Sequence, residues 1–304
     1  MGKELKSWLL LILLGGIWGS SFFLMKRGME TTSHEAIFSH TQVAALRMGI
    51  AGLVMLPFGL VVLRKINSWK VALALTVVGL FGNFIPAFLF TFSETKLSSG
   101  LAGMLNSFTP IFTLLISWLV FKNKLVVRQV IGLIIAFVGM LFLVGIFNQV
   151  SVAISWPHVG AIILATIMYG TSLNTIKQFL GHLKSWEITA LAFTILALPS
   201  WFTVAKTGVF STIATNQFAW QGLFYITILS VIGTCLALVL FNQIIAYKSA
   251  IFASSVTYFI PVVAVIIGLI FLHETFYSSQ IIGMVFVIAG VLVTNLSTSK
   301  HSEK

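Results

Sequence analysis

The sequence predicts an all-α membrane protein with ten transmembrane helices, and three observations support this fold class. Of the 304 residues, 58% are hydrophobic and 8% are charged, whereas an ordinary soluble domain has about 25% charged residues. Apolar runs of about 20 residues, the length that crosses about 30 Å of hydrocarbon, recur along the whole chain. These runs are continuous and lack the in/out alternation of outer-membrane strands, so we expect helices rather than a barrel.

The apolar runs give the boundaries of the predicted spans. The first span follows Lys3 and Lys6, as the apolar part of a signal peptide would. It is too long for a signal peptide, and Lys26 and Arg27 follow it without a clear cleavage site, so we expect it to stay uncleaved. The ten spans are 8–26, 41–63, 70–92, 98–121, 127–146, 156–177, 186–204, 219–245, 250–272 and 278–296.

The basic residues predict the orientation of the spans. Alternate loops and the two tails contain thirteen Lys and Arg residues, and the loops on the other side contain four: Lys26, Arg27, Lys96 and Lys206. Because cytoplasmic loops carry the excess of Lys and Arg, both termini are predicted to be cytoplasmic. The formal charge of +11 lies in short loops rather than on an aromatic-interleaved basic face, so no nucleic-acid partner is expected.

The chain contains an internal repeat, which divides it into two predicted domains, 1–150 and 151–304. An ungapped shift of 151 residues places Trp69 on Trp220, Gly82 on Gly233 and Pro110 on Pro261, among other matches, and only the second span needs a gap. Each half has five predicted spans, so the second half must enter the membrane from the opposite face. Such an inverted 5+5 repeat is typical of carriers that alternate access to a central site.

Ionisable residues give little support for an enzyme. The chain has no aspartate, and its seven glutamates lie in tails, in loops or at span edges. A carboxylate proton relay at the midplane, a magnesium site for ATP and a zincin pair are therefore not expected, nor is a serine nucleophile with its base. We predict no enzymatic activity, no cofactor and no metal, and we interpret the lone Cys235 as a packing residue.

Neutral polar side chains inside the spans predict the site instead. The fourth span carries Asn106, Thr109, Thr113 and Ser117 at helical spacing, and the ninth carries Thr257 and Tyr258. The third and eighth spans add Asn83 and Thr234. Mid-span Pro110 and Pro261 each free a carbonyl one turn back, at Asn106 and Thr257, and are candidate hinges. The alternative is that these groups only permit helix packing or a kink.

The stretch Gly15 to Ser21, GGIWGSS, combines both kinds of role. Gly15 and Gly19 predict a close helix contact, and Trp18 and Ser21 are predicted to face the cavity with their repeat mates Tyr169 and Ser172; packed aromatics are the alternative. We favour a packing role for Ser20, Thr113 and four later glycines: Gly132, Gly139, Gly283 and Gly290. Arg47 is expected to snorkel or to pair with Glu94 or Glu35.

These residues together resemble the EamA-type carriers of the drug/metabolite transporter (DMT) superfamily, over nearly the whole chain. The resemblance rests on the order of Trp18-Gly19-Ser20, Leu46-Arg47, Ser107 to Pro110 and, in the second half, Tyr258 to Pro261 with Glu274. It implies a multi-pass carrier of the bacterial inner membrane. Its cavity would be lined by the first, third, fourth, sixth, eighth and ninth helices. Asn123 departs from the family, which usually has glutamate there.

The predicted function is alternating-access transport of a small neutral or zwitterionic metabolite such as an amino acid, with export as the expected direction. The expected partners are this small molecule and membrane lipid, and the expected state is a monomer or weak homodimer. Two alternatives stay open: a phosphorylated-metabolite or drug carrier of the same superfamily, which would need Lys or Arg at depth, and a non-transporting membrane scaffold.

Overall fold

The computed structural model describes residues 3–122, 126–143, 155–247 and 256–296. These residues are almost all helical, which confirms the all-α class for this part of the chain. The helices are α1 (Lys3–Met29), α2 (His40–Val61), α3 (Trp69–Gly79), α4 (Ile85–Ser93), α5 (Ser99–Asn106), α6 (Thr109–Leu119), α7 (Val127–Leu143), α8 (Trp156–Phe179), α9 (Ser185–Lys206), α10 (Val209–Thr215), α11 (Ala219–Ser230), α12 (Ala237–Tyr247), α13 (Val256–Phe271) and α14 (Ser278–Leu296).

Seven helical segments of the described chain are long and apolar enough to cross a membrane. They coincide with predicted spans one to four and six to eight. Three shorter apolar helices, Val127–Leu143, Phe259–Phe271 and Ser278–Gly290, fall on predicted spans five, nine and ten. The seven are Trp8–Met29, His40–Val61, Trp69–Ser93, Ser99–Leu119, Trp156–Phe179, Ser185–Lys206 and Ala219–Ile244.

Two of these segments are interrupted by a π-helical turn. The turn Leu80–Phe84 joins α3 to α4, and the turn Val231–Leu236 joins α11 to α12. The two turns start at positions that are 151 residues apart, which is the offset of the sequence repeat. Because π turns inside α-helices occur frequently at functional sites, these two positions are candidates for one.

The helices pack in pairs that join the two halves of the chain. Helix α2 packs on α9, and α7 packs on α14. Helix α1 lies against α11, α12 and α13, whereas α8 lies against α3, α4 and α6. The first helix of each half therefore packs mainly on the other half.

Glycines make the closest of these contacts possible. A Cβ atom on Gly139 would lie 2.8 Å from the Gly283 carbonyl oxygen, and one on Gly290 would lie 2.5 Å from the Gly132 carbonyl oxygen. In the α1–α13 contact, a Cβ on Gly19 would lie 2.5 Å from Val263 Cβ. The structure confirms the packing interpretation of these glycines, since any side chain would push the helices apart.

Pro110 does not lie inside a continuous helix, as the prediction of a mid-span hinge assumed. The fourth span consists of two helices, and Pro110 lies in the first turn of the second one, α6, where a missing N–H leaves no bond unmade. The Asn106 carbonyl accepts a hydrogen bond from Thr109 Oγ1 at 2.8 Å. Pro261 lies inside α13 as predicted, and the Thr257 carbonyl one turn back accepts from Ser107 Oγ at 3.5 Å. The two prolines are thus in different local structures.

Candidate functional site

The first group of predicted site residues meets at the π turn Val231–Leu236. The Trp18 indole Nε1 donates to the Gly233 carbonyl at 3.2 Å, and the Trp18 ring packs on Phe241 with 5.1 Å between ring centroids. Ser21 lies against the same glycine, because a Cβ on Gly233 would be 3.0 Å from Ser21 Oγ. Helix α1 thereby contacts the opened turn through an aromatic and a hydroxyl side chain.

Arg47 belongs to this group through Thr234. Its Nε donates to Thr234 Oγ1 at 2.9 Å, and Thr234 Oγ1 donates to the Leu229 carbonyl at 3.0 Å. The expected pairing of Arg47 with Glu94 or Glu35 is wrong, since the ion pairs of the described residues are Lys26–Glu30, His34–Glu30 and Lys65–Glu187. Arg47 lies about 10 Å along the axis from the start of α2, so a cation reaches the predicted site.

A second group repeats part of this arrangement at the π turn Leu80–Phe84. Ser172 lies against Gly82, as Ser21 lies against Gly233, and the two contacts are offset by 151 residues. Tyr169 stacks on Phe90 with 6.0 Å between centroids and an interplanar angle of 22°. Asn83, within the turn, bonds through Nδ2 to the Val78 carbonyl at 3.4 Å.

The third group joins α5 to α13. Asn106 is half-buried, and its Oδ1 lies 3.3 Å from Thr109 Oγ1. Thr257 is buried, and its carbonyl is the acceptor for Ser107 described above. The backbone of Tyr258 continues α13, but its side chain lies outside the described residues.

None of the contacts given for these three groups joins one group to another. Trp18, Asn83, Asn106 and Tyr169 are each half-buried, so part of each side chain is accessible. Two clefts among the described residues lie at the end of the bundle that carries residues 30–39; the smaller has a volume of about 270 Å³ and includes Glu94. A midplane cavity stays a prediction.

Glu94 is a buried acid, and its burial was not predicted from the sequence. The sequence places it at the edge of the third span, and its side chain is 0% exposed. Neither carboxyl oxygen has a hydrogen-bond partner among the described residues. Burial raises the pKa of Glu94 well above its usual range, and nearby Lys26 only partly opposes this. At the repeat offset, the residue equivalent to Glu94 in the second half is the apolar Ile245. This apolar residue was the one sign in the sequence that the position of Glu94 is enclosed.

Two further charged residues tie helices together at the same end. Glu274 accepts from the backbone N–H groups of Ser99 at 2.7 Å and Gly100 at 3.1 Å, which caps the start of α5. Arg27 is buried and donates to the carbonyl of Phe271 at 3.0 Å, at the end of α13. Asn123, at the position equivalent to Glu274, lies outside the described residues. In the described ranges, no three His, Cys, Asp or Glu side chains form a group that could hold a metal.

Comparison with known proteins relates this architecture to membrane transporters. The model of the EamA-like transporter family matches residues 6–145 and 156–296, in agreement with the resemblance drawn from the sequence motifs. An "Uncharacterized transporter" of Archaeoglobus fulgidus is 25% identical over 64% of this chain and 66% of its own length. "Uncharacterized inner membrane transporter YhbE" of Escherichia coli is 27% identical over 66% of this chain and 63% of its own length.

Two other similarities extend over most of the chain. "Uncharacterized transporter YvbV" of Bacillus subtilis is 26% identical over 94% of this chain and 90% of its own length. A solved structure described as "Crystal structure of protein" superposes with a TM-score of 0.62, covering 98% of this chain and 99% of that one at 15% identity. The superposition supports the same fold over 98% of this chain.

Proposed function

The chain belongs to the EamA-like transporter family, and from this premise we propose that it exports a small neutral or zwitterionic, amino-acid-like metabolite across the bacterial inner membrane. Transport proceeds by alternating access between two inverted five-helix halves. Both termini are cytoplasmic, so the end with residues 30–39 faces outward. The inner-membrane name of the Escherichia coli relative supports this location.

The observation that carries the proposal is the meeting of Trp18, Arg47 and Thr234 beside the π turn Val231–Leu236. A guanidinium carries five N–H donors, and the bonds to Thr234 and Met25 engage the Nε and Nη1 groups. Donors therefore remain for a substrate carboxylate. The faces of Trp18 and Tyr169 suit the apolar part or the ammonium group of the same molecule.

The contacts at the two π turns support alternating access. Ser21 on Gly233 and Ser172 on Gly82 are near-equivalent contacts on opposite halves, and an inverted pair can exchange which of two such contacts is closed. In the conformation described, the bonds of Glu274 to the start of α5 and of Arg27 to the end of α13 hold the outward end together. Opening outward would require these bonds to break.

The test is flux of a pool of labelled neutral and zwitterionic metabolites, including aromatic and small amino acids, in liposomes that contain the purified protein. We expect saturable flux above that of empty liposomes. Asn106→Ala removes a half-buried amide of the predicted site and should reduce the flux, whereas Gln217→Ala removes an exposed amide and should leave it unchanged. Folded protein that moves no member of the pool would refute the proposal.

Arg47 also favours a second candidate, a carrier of phosphorylated metabolites, because a guanidinium binds phosphate as it binds carboxylate. Phosphate esters would then bind, and Arg47→Gln would abolish that binding.

A non-transporting scaffold would behave differently from both carriers. Cysteine introduced at Asn83 or Asn106, after removal of Cys235, would stay unreactive toward water-soluble labels applied from either side.

A further inference from the structure

The cleft of about 270 Å³ at the outward end is lined by a buried acid and by further charged groups. Lys26, Glu30, His40 and Thr95 line it together with Glu94. The side chain of Glu94 is 0% exposed, and both of its carboxyl oxygens lack a hydrogen-bond partner among the residues described. An ionised carboxylate in such a place is strongly disfavoured, and protonation removes the buried charge.

We propose that Glu94 is a proton-binding site that couples transport to the proton gradient across the membrane. This inference rests on the transport function proposed above. A proton from water in the cleft adds to one carboxylate oxygen and gives the neutral acid held in the conformation described. When the helices rearrange, the carboxyl group meets water or a cation, ionises and releases that proton.

Lys26 is the cation placed to accept the ionised form. Its Nζ donates to the Glu94 backbone carbonyl at 3.2 Å and lies 3.7 Å from Glu30 Oε1. Because the ammonium already lies next to the backbone of Glu94, a rotation of side chains can exchange its partner from Glu30 to the Glu94 carboxylate. The protonation of Glu94 is thereby linked to the bonds of α1.

The other ionisable groups around Glu94 come from three directions. Arg47 on α2 favours the ionised form of Glu94 and Glu274 disfavours it. His40, at the start of α2, has a buried Nδ1 atom with no hydrogen-bond partner in the described part of the chain. His158 on α8 stacks on Phe92, 4.2 Å between ring centroids, and its Nε2 lies 3.2 Å from Thr95 Oγ1.

The direct test reads the proton without any substrate. Infrared spectra of the purified full-length protein in lipid should contain a carboxylic-acid C=O band at neutral pH that disappears in Glu94→Gln. Glu35→Gln is the matched control, because Glu35 is an exposed glutamate at the same end, and it should keep the band. In Lys26→Met the band should persist to higher pH, since the ammonium favours ionisation.

A folding failure of one variant does not prevent the test. If Glu94→Gln does not fold, Glu94→Asp should shift the band in frequency and Lys26→Met should still move its titration. An acid band that none of these changes affects overturns the assignment. So does a wild-type spectrum without any such band at neutral pH.

The coupling itself is tested in liposomes with the metabolite pool and a pH-sensitive dye inside. A pH gradient should drive net flux in the wild type and in Glu35→Gln, and Glu94→Gln should lose the dependence on the gradient. Flux that depends on a sodium gradient at constant pH, or that ignores both gradients, overturns the coupling. If no pool member moves while the infrared band behaves as expected, the transport proposal fails separately from the proton site.

Discussion

Gly290→Ala is expected to destabilise the protein by pushing α14 away from α7. The new Cβ would lie 2.5 Å from the Gly132 carbonyl oxygen and 2.6 Å from the Ala136 backbone N, both backbone atoms that cannot rotate away. Ordinary carbon contacts are about 3.5–4.0 Å, so the helices must separate by about 1 Å. Overpacking of this kind costs about 1–3 kcal/mol, against at most about 1 kcal/mol gained from the helix propensity of alanine.

The matched control is Gly160→Ala on α8, where an added Cβ would meet nothing within 4 Å. It makes the same chemical change in a helix without the close contact. Thermal unfolding of both variants in the same detergent measures the difference. We expect the midpoint to fall for Gly290→Ala and to stay or rise for Gly160→Ala. Equal or raised midpoints for both would show that the α7–α14 contact does not have the closeness on which the reasoning depends.

Three further predictions concern the charged residues. Arg47→Lys keeps the charge but loses the planar fork that can hold a carboxylate by two hydrogen bonds. Loss of one hydrogen bond to a charged group, about 1.5–3 kcal/mol, should raise the half-saturating concentration of a carboxylate-bearing substrate about tenfold or more. Unchanged affinity would contradict the role of Arg47. The pKa of Glu94 is raised in the folded protein, so the neutral acid stabilises the fold at low pH and this contribution is lost as pH rises through the folded pKa. The unfolding midpoint of the wild type should therefore fall relative to Glu94→Gln as pH increases, and a difference independent of pH would count against the burial of the charge. Glu274→Gln removes a charged acceptor from two N–H groups and should cost about 1–3 kcal/mol, seen as faster backbone hydrogen exchange at Ser99 and Gly100; exchange that stays at the wild-type rate would show that the cap is not formed in solution.

Much of the fold followed from local patterns. Apolar runs of bilayer length identify helices because the backbone must bond internally in lipid. The glycines at Gly139 and Gly283 predicted close packing because only a residue without a side chain permits it. Local patterns also placed Pro110 in the fourth span, but not the end of α5 before it. At that break Thr109 Oγ1 donates to the Asn106 carbonyl, a contact that hydropathy does not predict.

The candidate site was harder to predict because its contacts are distant in sequence. Arg47 and Thr234 are 187 residues apart, so no spacing rule could join them. Glu94 follows the third span and was therefore placed at the periphery, and only the packing of the neighbouring helices encloses it. The π turns at Leu80–Phe84 and Val231–Leu236 were not predicted either, although the repeat aligned their sequences.

The packing of α1 on α11, α12 and α13 has a consequence for biosynthesis. Helix α1 is synthesised before these three helices, and the surface that it covers follows about 200 residues later. At about 5–20 residues per second, α1 waits on the order of ten seconds or longer, with Trp18 and Ser21 facing lipid or the insertion machinery. The first half therefore lacks the main packing partners of α1 until the second half has been made. Two separately produced halves would acquire native packing only by assembling with each other.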